Sequence, residues 1–155
     1  MQPTQKSVLI VAVATALVAA GAVGWILIHR QQRADPDNAA QVATGQVIYH
    51  KQCAQCHGAK LQGEADWTSR KANGRLPAPP HDASGHTWHH VDAQLFAIVK
   101  HGLKPFAPAG YKSDMPAFES TLSDGEIWAV LAFIKGSWPP EIRQRQREMS
   151  EQAKN

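Results

Sequence analysis

Apolar residues recur at helical spacing in three segments of the chain, and the strict alternation typical of half-buried strands is scarce. The first segment begins after Asn38, a favourable N-cap with Gln41 at the capping-box position, and continues to about Gln52. The second follows Asp92 and stops at Gly102, a residue type that commonly terminates helices. Both segments are predicted to be helices.

The third segment has the strongest start and stop signals. The tetrapeptide SDGE at 123–126 has the capping-box pattern, and Leu122 and Ile127 are placed to form a hydrophobic staple. A dense run of apolar residues follows and ends at Gly136, so this helix needs burial on more than one side. The pattern as a whole predicts an all-α fold.

Long irregular stretches separate these helices, at 58–91 and 103–121, and both are rich in glycine and proline. Loops of this length in a compact domain are either wrapped around something or disordered. Their apolar and aromatic content argues against disorder. The loops are therefore predicted to enclose a large apolar ligand, and their large aromatic residues are Trp67, Trp88, Phe106, Tyr111 and Phe118.

A separate apolar run at the amino terminus, residues 7–28, contains no charged residue. As a helix it would be about 33 Å long, enough to cross the hydrocarbon core of a bilayer. A cleaved signal peptide is the alternative, with Ala20-Gly21-Ala22 as the small-residue cleavage site. The apolar run continues well past that tripeptide, and Trp25 suits a membrane interface, so an uncleaved transmembrane anchor is the preferred interpretation.

The sequence predicts four parts: an anchor (1–29), a polar linker (30–38), a compact domain (39–138) and a polar carboxyl-terminal tail (139–155). The tail begins with two prolines and is strongly polar, so it is predicted to be a solvated helix or coil, with partner docking as the alternative.

The net charge of +3 comes from the membrane flanks, because Lys6, Arg30 and Arg33 account for all of it. From Ala34 onward, 13 Lys and Arg residues balance 13 Asp and Glu residues. No basic stripe with interleaved aromatic residues is present, so a nucleic-acid partner is not expected.

The pentapeptide CAQCH holds the only two cysteines, Cys53 and Cys56, and places His57 directly behind them. A disulfide would close a very small loop, a zinc site lacks a second ligand pair, and a redox dithiol lacks its βαβ context. One covalently attached haem c uses all three residues, because two thiols can add to its two vinyl groups while the imidazole binds iron. This is the preferred interpretation.

Covalent haem also predicts the topology, since bacteria attach haem to thiols outside the cytoplasmic membrane. The protein is therefore expected to be a single-pass protein of a bacterial inner membrane, with its haem domain in the periplasm. The positive-inside rule leans slightly the other way because of Arg30 and Arg33. The chemical argument takes precedence over that rule.

At 39–138 the chain resembles the class I cytochromes c. The resemblance rests on Gly45 and Tyr49 before CAQCH, on DMPAF far downstream, and on Val130 and Phe133 in the closing helix. It implies that the first and last helices cross at these positions, with Gly45 permitting close backbone approach. It also implies that a carbonyl in a proline loop, here RLPAPP with Pro77 favoured, orients the proximal imidazole.

A sixth ligand to iron is then required, and the chain has three methionines. Met1 is expected on the other side of the membrane and Met149 lies in the polar tail, which leaves Met115 in DMPAF. Pro116 biases Met115 towards an extended conformation, suited to a loop that presents a thioether. The predicted haem site therefore consists of Cys53, Cys56, His57 and Met115, with His57 and Met115 as the iron ligands.

With both axial positions filled, the protein is expected to be an electron carrier rather than an enzyme. The expected partners are membrane redox complexes, such as a quinol–cytochrome c reductase or a terminal oxidase. A haem-bearing subunit or sensor domain of a larger membrane complex is the alternative, and copper could be linked to it through His86, His89 and His90. A non-haem Cys/His metal chaperone is a third hypothesis.

Overall fold

The structure, a computed structural model, describes residues 14–24 and 33–154. Its backbone forms two compact units, Met1–Gln32 and Arg33–Asn155. In the first unit residues 14–24 are helical, and the rest of the predicted anchor at 7–28 lies outside the described residues. Among the residues described, every helix is too short or too polar to cross a membrane.

In the second unit the described residues form five α-helices and two short 3₁₀ turns, with no β-strand, which confirms the all-α prediction there. The 3₁₀ turns are Thr87–His89 and Lys104–Phe106. The α-helices are α1 (Ala39–Gln52), α2 (Ala54–His57), α3 (Asp92–His101), α4 (Asp124–Gly136) and α5 (Pro140–Gln152).

Side-chain caps fix where α1 and α4 begin. Asn38 Oδ1 accepts a hydrogen bond from the backbone N–H of Gln41 at 3.1 Å, as predicted, while the Gln41 side chain accepts from Asp35 N–H at 2.8 Å instead of from Asn38. At α4 the capping box is complete, because Ser123 N–H donates to Glu126 Oε2 at 2.8 Å and Glu126 N–H donates to Ser123 Oγ. These caps satisfy backbone donors that the first helical turn leaves free.

The core of the domain is the crossing of α1 with α4. Gly45 lies against the backbone of Ala129, so closely that a Cβ at position 45 would overlap the Ala129 carbonyl. Beside this contact the fully buried ring of Tyr49 packs against Phe133, with 5.3 Å between the ring centroids. The Tyr49 hydroxyl donates to the carbonyl of Gly58 at 3.0 Å, which ties α1 to the loop that follows CAQCH.

The carboxyl-terminal segment is not the solvated tail that its polarity predicted. It forms α5, in which Gln146 is 0% exposed and Ser150 is buried. Gln146 Nε2 donates to the carbonyl of His90 at 3.1 Å and to Asp92 Oδ1 at 2.7 Å. Ser150 Oγ accepts from the Asp92 N–H at 3.0 Å, so α5 packs through hydrogen bonds between polar side chains, which a hydropathy pattern does not reveal.

A buried ion pair joins α3 and α4 at the same place. Lys135 Nζ donates to both carboxylate oxygens of Asp92, at 2.7 and 2.9 Å, and the two side chains are 5% and 21% exposed. Asp92 therefore connects three helices, because its carboxylate also accepts from Gln146 Nε2 and its backbone N–H donates to Ser150 Oγ.

We expect Lys135→Ala to destabilise the domain by about 2 kcal/mol, because it leaves a desolvated carboxylate without its cation. The loss is smaller than for a fully buried pair, since Asp92 keeps some contact with water. Urea unfolding of the haem-loaded protein measures it. The matched control is Lys100→Ala, which removes the more exposed Lys100–Asp124 pair and should cost about 0–1 kcal/mol. Equal losses for the two variants would contradict the prediction.

Candidate functional site

One helical turn carries both cysteines and the histidine. Helix α1 ends at Gln52, where the N–H of Cys53 still donates to the Tyr49 carbonyl at 2.8 Å. Helix α2 follows immediately, and its last residue, His57, donates its N–H to the Cys53 carbonyl at 2.9 Å. Both thiols are free: Cys53 is half-buried and packs against the hydrophobic core, while Cys56 is exposed.

The chemistry of the two thiols disfavours two of the alternatives. Burial, with a smaller contribution from the neighbouring Cys56, raises the pKa of the Cys53 thiol to about 11, so Cys53 is a thiol at neutral pH. Catalytic dithiols need the opposite shift. The described residues also contain no group of three or more His, Cys, Asp and Glu side chains arranged to hold a metal ion, which disfavours a zinc site of that kind.

The imidazole of His57 is buried, with 8% exposure, and it is held by the proline loop. Its Nδ1 lies 2.9 Å from the carbonyl oxygen of Pro79, to which it donates. The sequence predicted the correct loop and the wrong residue, since Pro77 was favoured. Burial lowers the pKa of His57 although the Pro79 bond opposes this, so the ring is neutral and Nε2 is available to bind a metal.

A second imidazole, that of His81, stacks on His57 with 4.0 Å between the ring centroids. His81 Nδ1 contacts the hydroxyl of the buried Thr87 at 2.8 Å, and its backbone N–H donates to the Leu61 carbonyl at 2.7 Å. Burial lowers the pKa of His81 well below its ordinary value. No spacing in the sequence indicates this contact, because 24 residues separate the two histidines.

Met115 lies in the second long loop. Its side chain is half-buried and packs against the same hydrophobic core as Cys53. The loop is fixed on both sides of it: Met115 N–H donates to Ser113 Oγ at 3.0 Å, and Phe118 N–H reaches the Lys100 carbonyl at the end of α3, at 3.1 Å. The adjacent Asp114 forms an ion pair with Arg75.

Comparison with known families gives a match over residues 40–134, more than half of the chain, to the family described as cytochrome c oxidase, cbb3-type, subunit III. The chain belongs to this family. It is therefore a c-type cytochrome of the class I type, and haem-based electron transfer rather than enzyme catalysis is the function of such domains. Neither the curated proteins nor the solved structures give a significant match.

The donor set of the cytochrome fits a haem. One helical turn supplies two free thiols at the spacing that haem attachment requires, and it also supplies an imidazole whose Nδ1 is already engaged. A half-buried thioether, Met115, lies at the margin of the same core. These residues match the ligand types that hold haem in c-type cytochromes.

The histidine trio of the cytochrome does not form a common metal site. His86 stacks on Trp67 at a centroid distance of 5.2 Å, whereas His89 stacks on Trp88 at 3.7 Å. Among the three imidazole rings, those of His86 and His90 meet edge to face, with 5.5 Å between their centroids. The rings therefore pack mainly against tryptophans, and the hypothesis of a copper site has no support in the geometry of the described residues.

Proposed function

We propose that this cytochrome carries single electrons through one haem c, held covalently by Cys53 and Cys56 and ligated by His57 and Met115. The observation that carries the proposal is the contact between His57 Nδ1 and the Pro79 carbonyl. It orients an imidazole on the same helical turn as two free thiols, and it leaves Nε2 for iron.

Each of these residues has a separate task. The haem, when bound, supplies the one-electron couple. The thioethers of Cys53 and Cys56 keep it in place, and the Pro79 carbonyl fixes the tautomer and orientation of His57. Met115 would offer the iron a soft thioether, which would favour the reduced state and keep outside ligands from binding.

We further propose that residues 7–28 are an uncleaved anchor in a bacterial inner membrane, with the haem domain in the periplasm. The uncharged apolar run supports the anchor, and the site of haem attachment in bacteria supports the orientation. A tether keeps the cytochrome at a high local concentration near its partners. Those partners are membrane redox complexes, such as a quinol–cytochrome c reductase upstream and a terminal oxidase downstream.

A second candidate function is that of a fixed haem-bearing subunit within a larger membrane complex. The family description favours it, because that description is of an oxidase subunit. Separation of native membrane complexes in mild detergent distinguishes the two functions. A stoichiometric association with one oxidase supports the subunit, whereas a cytochrome that runs mainly free supports the mobile carrier.

We expect the intact mass of the protein purified from membranes to include the apolar segment 7–28 and one covalently attached haem. This measurement tests covalent attachment and anchor retention together, because loss of the first 20 or so residues gives a clearly smaller mass. The double variant Cys53→Ala/Cys56→Ala is the control and should lack the haem mass. An unmodified mass from cells able to attach haem would reject the central proposal, and a shortened haem protein would reject only the anchor.

A further inference from the structure

The carbonyl that orients His57 belongs to a loop with few hydrogen-bond donors of its own. Pro79 and Pro80 both lack a backbone N–H, so neither can donate a bond that holds the Pro79 carbonyl in place. The Pro80 carbonyl accepts a long bond from the Thr87 hydroxyl, at 3.4 Å, and the remaining support comes from the neighbouring residues. On one side His81 N–H donates to the Leu61 carbonyl at 2.7 Å, and on the other side the support comes from Ala78.

Glu64 engages both backbone groups of Ala78. The N–H of Glu64 donates to the Ala78 carbonyl at 2.9 Å. In return, the N–H of Ala78 donates to the Glu64 carboxylate, at Oε1, over 3.0 Å. The residue directly before Pro79 is therefore fixed by a reciprocal pair of bonds, in which the side-chain bond is charge-assisted and so stronger than a neutral one.

The other carboxylate oxygen of Glu64 accepts from Lys71 Nζ at 2.6 Å. These two side chains are 39% and 41% exposed, so this ion pair lies in contact with water and contributes little by itself. The two oxygens thus have separable roles: one holds Ala78, and the other pairs with an exposed lysine.

We propose that Glu64 is a positioning residue for the proximal imidazole: by holding Ala78 it fixes the Pro79 carbonyl, and through it the hydrogen bond that sets the basicity of His57. The inference rests on the proposed role of His57 as an iron ligand. A strong bond at Nδ1 makes the imidazole a better donor and favours oxidised iron. Weakening the support of Pro79 should therefore raise the reduction potential.

Three variants of the full-length, haem-loaded protein separate the effects. Glu64→Ala removes the acceptor for the Ala78 N–H. At a fixed solution potential, the ratio of reduced to oxidised protein should rise about threefold, which corresponds to a reduction potential about 28 mV higher for a one-electron couple. Glu64→Gln keeps an acceptor oxygen for Ala78 but makes the bond a neutral one, so it should shift the potential clearly less than Glu64→Ala. Lys71→Ala keeps the carboxylate and removes the ion pair, and it should match the parent.

If Glu64→Ala fails to incorporate haem, Ala78→Pro serves as the test variant in its place. This change removes the Ala78 N–H donor and leaves the charge of Glu64 in place, although the proline ring also displaces the carboxylate that accepted the bond. It should raise the potential in the same direction. The second readout is the rate at which the His57 Nδ1 proton exchanges with solvent, monitored by NMR in the reduced protein. This exchange should be faster than in the parent for Glu64→Ala and Ala78→Pro only.

Two outcomes would overturn the inference. If Glu64→Gln shifts the potential as far as Glu64→Ala, then charge and not the support of Ala78 sets the potential. If Glu64→Ala leaves both potential and exchange unchanged, Glu64 does not position His57. Failure of the proposed function is recognised separately, because the His57 ring resonances of the parent would then show no haem-induced shift.

Discussion

Replacing Gly45 by alanine is expected to destabilise the haem-loaded domain by about 3 kcal/mol or more, at or above the upper end of the range for overpacked cores. The added Cβ would overlap the backbone carbonyl of Ala129, and a backbone group inside a helix cannot move aside as a side chain can. Helices α1 and α4 would have to separate and expose Tyr49 and Val130. Urea unfolding and the fraction of protein that contains haem both measure the effect.

The control is the same substitution where space is open. Gly125 lies in the first turn of α4 with nothing within 4 Å of a Cβ placed there. Gly125→Ala should therefore stabilise the protein by about 0.5–1 kcal/mol, since alanine loses less backbone entropy in a helix. Equal stability of Gly45→Ala and the parent would show that the two helices are not held by this close contact.

The close approach at Gly45 was implied by the resemblance to the class I cytochromes c, and it fits a glycine in mid-helix, which opposes helix propensity. Three helix ends could also be predicted from the sequence. Asn38 caps the start of α1, Ser123 caps the start of α4, and Gly102 terminates α3, each by local chemistry that needs no tertiary contact. The caps depend on residues within four positions of one another, which is why a single sequence reveals them.

The errors concern contacts between distant segments. Pro77 and Pro79 lie two positions apart in the same loop, and local sequence does not distinguish them, whereas the structure brings the Pro79 carbonyl to within 2.9 Å of His57 Nδ1. The polarity of α5 predicted a solvated segment, but Gln146 is buried because Asp92 and the His90 carbonyl satisfy its amide N–H groups. In both cases long-range hydrogen bonds, invisible to periodicity, determine the structure.

The residues of the haem site were predicted in two different ways, the CAQCH motif from its local spacing and the sixth ligand from a distant segment. The covalent motif and His57 occupy one helical turn, so spacing alone brings them together. Met115 lies 58 residues further along, and its choice as sixth ligand depended on elimination and on the extended bias of Pro116. The structure packs Met115 against the same core as Cys53, and ligation of iron by Met115 stays a prediction.

Met115→Ala is expected to open the sixth position, so that the reduced variant binds carbon monoxide rapidly where the parent does not. Alanine has no donor atom, and the loop is fixed at Ser113 and Phe118, so the backbone cannot easily supply a replacement. Met115→His should keep six ligands and lower the potential by a few tenths of a volt, within the range of about 0.8 V that axial ligands cover. Absorption spectra and redox titration measure both effects.

Met149→Ala is the matched control, because Met149 lies in α5 and is only partly buried. It should leave the spectrum, the potential and carbon monoxide binding as in the parent. Fast binding of carbon monoxide by the parent would mean that its sixth position is already open, which favours a sensor or catalytic role. If Met115→Ala changes neither spectrum nor potential, the ligand lies elsewhere, and His86, His89 and His90 are the next residues to replace because histidine is the other common axial ligand.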